Sequence, residues 1–258
     1  MSLPLGSTLA TARDGGRKLL VAYVMAGSTP TWLDTVACIV AAGADAVEVG
    51  LAFSDPIIDG PTIQAAATAS LAAGTTFDAV VEALSARAYG VPLVAMTYAN
   101  VLLRRGYPSA AKSLLGAGCT GAIVPDLPLE ELDDWQGAAG AAGIETVLLA
   151  APSTPPSRLD LLCQRSQGFL YAIGRMATTG ETTSLDPRGI ELVERLRTRT
   201  DLPICLGIGV STPEHAASAC VVADGVVVGS AIVRRMLEGA SPEQVGAFVS
   251  TLRKGLDA

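Results

Sequence analysis

The chain has 258 residues, half of them apolar, with few aromatic side chains and a formal net charge of −7. This length allows two small domains or one α/β barrel, and the apolar content is enough for a large core. The basic residues form no stripe, which argues against nucleic acid or an anionic membrane as a partner, although backbone N–H groups could still hold a small anion.

Eight short apolar runs recur along the chain and are predicted to be β-strands. They are rich in Val, Ile and Leu and continuous, not alternating, as expected for parallel strands covered on both faces. The runs are 19–26, 46–50, 92–98, 121–126, 145–150, 168–173, 203–209 and 225–230.

Helical patterns lie between these runs, for example in 29–45, 129–143 and 212–224. Eight strand-then-helix units predict a (β/α)8 TIM barrel, the α/β fold class, and the absence of a linker predicts a single domain over 1–258. An open doubly wound sheet is the alternative. Two long polar connections, 51–61 and 174–188, follow the second and sixth strands, on the side that carries the active site in such barrels.

Glu48 is an acid inside the second apolar run, "AVEVG". If Val47 and Val49 face the helices, alternation points Glu48 into the barrel mouth, where desolvation raises its pKa and suits proton transfer. The alternative is an acid satisfied by a backbone amide or a hydroxyl. Asp59 lies on the loop that follows, and its alternative role is a turn or N-cap; Asp55 is interpreted as a turn residue.

Glycine-bearing segments follow strands six, seven and eight, at 178–180, 207–214 and 228–231. Barrels often hold phosphate with the loops after the last two strands and the N-terminus of a short helix, so these segments predict a phosphate site, with turns as the alternative. Tyr171 and Tyr98 are either core tyrosines or site residues. The predicted strands contain no lysine, which disfavours imine-forming aldolases.

The five cysteines are scattered and odd in number, and the chain has one histidine. This usage predicts reduced thiols in a cytoplasmic protein and argues against a metal site. The N-terminal stretch lacks the pattern of a signal peptide, and no run reaches the roughly 18 apolar residues that span a membrane.

Several motifs, in order along nearly the whole chain, resemble those of the tryptophan synthase α subunit family. They are "VEVGLAFSDPIIDGPTIQ", "MTYANVLLRRG", "GAIVPDLPLEE", "GIGVSTPEHA" and "ADGVVVGSAIV". The resemblance implies retro-aldol cleavage of indole-3-glycerol phosphate to indole and glyceraldehyde 3-phosphate, a lyase reaction of tryptophan biosynthesis. A different phosphate-barrel lyase or isomerase is the alternative enzyme.

The resemblance also assigns roles to residues. Glu48 matches the general acid/base, Asp59 the carboxylate that stabilises the indole N–H, and Tyr171 a tyrosine near the substrate. The remaining matches are the phosphate cradle of Gly180, Gly209, Gly229 and Ser230 and the indole pocket of Tyr23, Ile63, Tyr98 and Ile208. Thr179 matches a threonine on the mobile lid loop that helps to position the catalytic aspartate.

The chain departs from the family pattern at Ala52, where proline is usual, at 177–180, which reads ATTG in place of GVTG, and at 27–30, which replaces a Gly-Asp-Pro turn. The first two lie on loops that the family uses to close the site and to signal to a β subunit. The resemblance implies an α2β2 assembly in which pyridoxal phosphate belongs to the β subunit and this chain carries no cofactor. A standalone lyase that releases indole and a weakly catalytic activator of a β subunit are the alternatives.

Overall fold

The computed structural model describes residues 3–174, 176–179, 182–185 and 187–258. Eight parallel strands close into a barrel, which confirms the predicted fold class. They are β1 (Leu19–Met25), β2 (Ala46–Gly50), β3 (Leu93–Met96), β4 (Cys119–Ile123), β5 (Glu145–Ala150), β6 (Leu170–Ile173), β9 (Ile204–Gly207) and β10 (Gly225–Val228). Their order around the barrel is β1-β10-β9-β6-β5-β4-β3-β2, and the two intervening strands, β7 and β8, lie outside it.

Helices surround the barrel and connect its strands. They are α1 (Leu5–Asp14), α2 (Trp32–Ala41), α3 (Pro61–Ala72), α4 (Phe77–Ser85), α5 (Ala99–Leu103), α6 (Tyr107–Gly116), α7 (Leu132–Ala142), α8 (Pro156–Arg165), α9 (Pro187–Arg197), α10 (Pro213–Ala219), α11 (Ser230–Leu237) and α12 (Pro242–Asp257). The predicted helix start at "TPE" is confirmed, because the Thr212 hydroxyl accepts a hydrogen bond from the backbone N–H of His215. Within the described residues, no helix is both long and apolar enough to cross a membrane.

Strand alternation divides the apolar side chains into two layers. Val47 and Val49 pack outward in the core between barrel and helices, whereas Ala46 belongs to the cluster that fills the barrel interior. On β1, Leu20 faces out and Val21 faces in. This alternation turns Glu48 toward the barrel axis, as the sequence predicted.

Helix α1 closes the N-terminal end of the barrel. Leu5 and Leu9 are fully buried in the interior cluster, and the backbone N–H of Gly6 donates a 2.6 Å hydrogen bond to Glu145 Oε2. A Cβ at Gly121 or Gly168 would overlap or crowd the Leu5 side chain, so these two positions need glycine. The site must therefore open at the other end.

Strand β4 begins at Cys119, two residues before the predicted run, because Cys119 pairs with Leu93 across an irregularity in the β3–β4 register. The connection after β6 contains two further strands, β7 (Met176–Thr179) and β8 (Thr182–Leu185), which pair antiparallel as a hairpin. Sequence reasoning predicted only a polar loop here. The β-branched threonines favour extended backbone, which is the signal that it missed.

Candidate active site

A cavity of about 190 Å³ opens at the C-terminal end of the barrel. Most of the residues predicted from the sequence to form the site meet there, although they are far apart in the chain. Its lining is Tyr23, Glu48, Asp59, Ile63, Met96, Tyr171, Gly207, Gly209, Val227, Gly229 and Ser230.

Glu48 is the buried acid of this cavity. Its side chain is only 1% exposed, and Oε1 has no hydrogen-bond partner among the described residues. Burial raises its pKa to about 8, because no donor offsets the loss of water around the charged form. Glu48 is therefore protonated near neutral pH, and it can both give and take a proton there.

Asp59 reaches the same cavity from the loop between β2 and α3. It is half-buried, and its Oδ2 accepts a 3.1 Å hydrogen bond from the Tyr98 hydroxyl. Burial raises the pKa of Asp59, and the bond from Tyr98 opposes that shift. The N-cap residue of α3 is Gly60, and no side chain caps the helix. Asp59 therefore does not have the N-cap role that was the alternative to a site residue.

Tyr98 fixes the conformation of this loop as well as its carboxylate. Its hydroxyl accepts a 3.2 Å hydrogen bond from the backbone N–H of Ile58, and its ring stacks on Phe53 at 5.0 Å between centroids. Gln64 donates a 2.9 Å bond to the Asp59 carbonyl. Asp55, by contrast, accepts a bond from its neighbour Ser54 on an exposed turn, as its sequence context predicted.

Two tyrosines, Tyr23 on β1 and Tyr171 on β6, each project over a glycine of a neighbouring strand. A Cβ at Gly207 would overlap the Tyr171 ring, and a Cβ at Gly50 would overlap the Tyr23 hydroxyl. Burial, followed by the charges of Asp59 and Glu48, raises the pKa of Tyr23 well above its usual value. Both phenols are therefore neutral donors within the cavity.

Gly209, Gly229 and Ser230 follow strands β9 and β10, which lie between the two tyrosine strands, and they form the wall of the cavity there. Gly209 has a φ of +76° and open space where a side chain would be, so its backbone can approach a ligand closely. Gly229 caps α11, and Ser230 is the first residue of that helix. Free N–H groups and the positive end of the helix dipole make this wall suitable for an anion.

Four predicted site residues are not among those that line this cavity. Tyr98 lies behind Asp59 and lines a smaller adjoining cavity instead. Ile208, between Gly207 and Gly209, packs in the outer core and is not among the residues that line the cavity, so its assignment to the indole pocket stays a prediction. Thr179 ends β7, and Gly180 lies outside the described residues.

Sequence reasoning missed Met96, Gly207 and Val227, which also line the cavity. Each lies at or next to the C-terminal end of a barrel strand and faces the barrel interior. Met96 could have been found from Glu48 in two steps. Gly50, two residues after Glu48, faces the same side of its strand, and Gly50 pairs with Met96 on the neighbouring strand. Within the described ranges, no group of three or more His, Cys, Asp and Glu side chains could hold a metal ion.

The arrangement combines a neutral carboxylic acid, a carboxylate held by a phenol, and an anion site, around a partly apolar space. It can protonate a carbon or a leaving group, stabilise a developing positive charge and anchor a phosphate. Such a set suits proton-driven bond cleavage in a small phosphorylated molecule that has an apolar portion.

Comparison with known proteins gives the same family from sequence and from structure. The family model described as "Tryptophan synthase alpha chain" matches residues 9–255. Relatives of that name from Cyanothece sp. and Streptomyces coelicolor are 40% and 41% identical, each match covering 98% of this chain and 96% of the relative. A solved structure of Mycobacterium tuberculosis tryptophan synthase superposes with a TM-score of 0.90 at 34% identity, covering 100% of both chains.

Proposed function

The chain belongs to the tryptophan synthase alpha chain family, and from this membership we propose that it cleaves indole-3-glycerol phosphate to indole and glyceraldehyde 3-phosphate. The observation that carries the assignment of the site is that Glu48 and Asp59 line one cavity with the glycine cradle of Gly209 and Gly229. The enzyme is a carbon–carbon lyase of tryptophan biosynthesis.

Glu48 supplies the proton that starts the reaction. Because its pKa is raised to about 8, it is protonated at rest and can transfer its proton to C3 of the indole ring. The ring then carries a positive charge centred on its N–H. The bond between C3 and the hydroxyl-bearing carbon breaks, its electron pair restores the aromatic ring, and the hydroxyl proton returns to Glu48 as the carbonyl forms.

Asp59 stabilises the charged ring. Its carboxylate, held by the hydroxyl of Tyr98 at 3.1 Å, accepts a hydrogen bond from the indole N–H, and this bond strengthens as the ring becomes cationic. An interaction that is stronger in the transition state than in the bound substrate accelerates the chemical step. Tyr171, which lines the cavity with Glu48, contacts the glycerol chain and helps to exclude water.

The phosphate lies at the N-terminus of α11, against the backbone of Gly209, Gly229 and Ser230. In this orientation the indole ring is directed toward Tyr23, Ile63 and Met96 and lies next to Tyr98. Thr179, which the resemblance assigns to the lid, ends β7 in the connection after β6. The steps of the reaction require only proton transfer and hydrogen bonding, so the chain needs no cofactor of its own.

We further propose a tryptophan synthase β subunit, which would hold pyridoxal phosphate, as the partner in an α2β2 assembly. Ile57 on the loop after β2 is 84% exposed, and Leu103 on α5 is 63% exposed on the same side of the barrel. Large apolar side chains exposed next to a site are typical of an interface. Ala52, on the same loop as Ile57, is the position at which the partnership of this chain would differ from that of its family.

The test is to incubate the purified chain with indole-3-glycerol phosphate, alone and with a tryptophan synthase β subunit, and to measure indole and glyceraldehyde 3-phosphate. Equal amounts of both products establish the lyase reaction. Strong activation by the β subunit supports the partnership, whereas rapid release without it indicates a standalone lyase. Binding of the β subunit with no indole in either case would indicate an activator and contradict the proposed chemistry.

A further inference from the structure

The hydroxyl of Tyr23 fits closely against Gly50 but lacks a strong hydrogen-bond partner within the described residues. Gly50 leaves the space that this hydroxyl occupies, since any Cβ there would overlap it. Tyr23 is 6% exposed, and within the described residues the one hydrogen-bond acceptor of its hydroxyl is the Sδ of Met25, at 4.0 Å. A thioether is a weak acceptor, and a buried hydroxyl without a good partner is destabilising.

Tyr23 and Asp59 line a second, smaller cavity as well as the first. This second cavity, of about 10 Å³, is also lined by Met96 and Tyr98 among others. Its volume is close to that of one water molecule. A single bridging water, or a change of the Tyr23 χ1 torsion, would connect the Tyr23 hydroxyl to the Asp59 carboxylate.

The Asp59 carboxylate has room for such a donor. Among the described residues, Oδ2 accepts a hydrogen bond from the Tyr98 hydroxyl and no donor reaches Oδ1. No Lys or Arg of the described ranges lines either cavity, so hydrogen bonds must stabilise the charge. The titratable groups that face this carboxylate are Tyr23 of β1, Glu48 of β2, Tyr98 after β3 and Tyr171 of β6.

We propose that Tyr23 is a positioning residue: its hydroxyl is a second donor to the Asp59 carboxylate, which it holds on the side opposite Tyr98. Two donors on two oxygens fix the plane of a carboxylate, whereas one donor leaves it free to rotate. A fixed carboxylate presents a defined lone pair to the ring N–H of the substrate. This last role depends on the proposed lyase function, but the pairing of Tyr23 with Asp59 does not.

The experiment uses the full chain labelled with ¹³C at the aspartate carboxyl groups, titrated by NMR without substrate. Asp59→Asn identifies the Asp59 signal by its disappearance. Tyr23→Phe removes one donor to the ionised form, so the Asp59 titration midpoint should rise by about half a unit to one unit. Tyr98→Phe should also raise it, and the two changes together should not add independently, because they act on one carboxylate.

Tyr89→Phe is the matched control. Its buried hydroxyl has no hydrogen-bond partner among the described residues, and it lies just before β3 at the opposite end of the barrel. Its removal should leave the Asp59 midpoint unchanged. In the lyase assay, the acid limb of the pH profile of kcat/KM should move to higher pH in Tyr23→Phe, by the same number of pH units as the Asp59 midpoint. An Asp59 midpoint that stays unchanged in a folded Tyr23→Phe protein would overturn the pairing. If the wild-type chain forms no indole, the lyase function fails, and the NMR titration still decides the pairing.

Discussion

Glu48 and Glu145 are both barrel-strand glutamates, near opposite ends of the barrel. Glu145, at the start of β5, accepts a 2.6 Å hydrogen bond from Gly6 and so attaches α1 to the closed N-terminal end. Glu48, on β2 toward the open end, is more deeply buried, and its Oε1 has no hydrogen-bond partner in the part of the chain that the structure describes. Glu145 therefore stabilises the fold through the hydrogen bond that it accepts, whereas Glu48, which accepts none among the described residues, keeps a proton that it can transfer.

The largest effect is expected from Glu48→Gln, which preserves shape and removes the transferable proton. Indole release should fall by about 10³-fold or more, near the upper range for a general acid–base group. Binding of an unreactive analogue without the glycerol hydroxyls should stay nearly intact. Glu145→Gln is the matched control and should retain most of the activity. Full activity in Glu48→Gln would contradict the proton-transfer role.

The pH dependence of stability should separate the wild-type chain from Glu48→Gln. The pKa of Glu48 is 4.5 in the unfolded chain and about 8 in the folded one, so between these values the folded state binds more protons. Stability should therefore fall as pH rises from about 4.5 to 8, by on the order of 4 kcal/mol at most from this group. Urea unfolding at several pH values measures this change in the free energy of unfolding. A wild-type curve that matches that of Glu48→Gln would show that Glu48 is ionised in the folded state.

Asp59→Asn should lower kcat/KM by about 10²-fold or more, because the amide cannot stabilise the cationic ring as a carboxylate does. Asp55→Asn, on the same loop but exposed, is the control and should have little effect. A loss of less than about threefold at Asp59 would indicate that it is only a loop residue.

Ser230→Asp should weaken substrate binding by placing a negative charge at the first residue of α11. KM should rise by about tenfold, with a smaller change in kcat, since like charges repel at the phosphate site. Ser109→Asp adds the same charge to the first turn of α6, where Ser109 is exposed, and should leave KM unchanged. An unaltered KM in Ser230→Asp would place the phosphate elsewhere.

The smallest effect concerns the closed end. Glu145→Ala removes the acceptor for Gly6 and should lower the free energy of unfolding by about 1–2 kcal/mol, on the scale of a hydrogen bond to a charged group. Thermal and urea unfolding of this variant measure the loss, while the activity of the remaining folded protein should be near normal. An activity loss larger than the stability loss would indicate that the two ends are coupled.

Much of the fold and part of the site could be predicted from the chain because their signals are local. Continuous apolar runs predict covered parallel strands, and the alternation of Val47, Glu48 and Val49 gives the direction of the acid. The hairpin of β7 and β8 was missed because a polar, threonine-rich run carries no apolar period.

By itself, the sequence determined the number of barrel strands, their parallel arrangement, the inward direction of Glu48 and the family. These follow from side-chain period and from motifs, which need no knowledge of distant contacts. Only the tertiary structure decided that Tyr98 holds Asp59, that α1 closes one end through Glu145, and that Gly50 makes room for the Tyr23 hydroxyl. Each of these joins residues from different elements, and the space between elements is set by barrel closure, which no single stretch of the chain encodes.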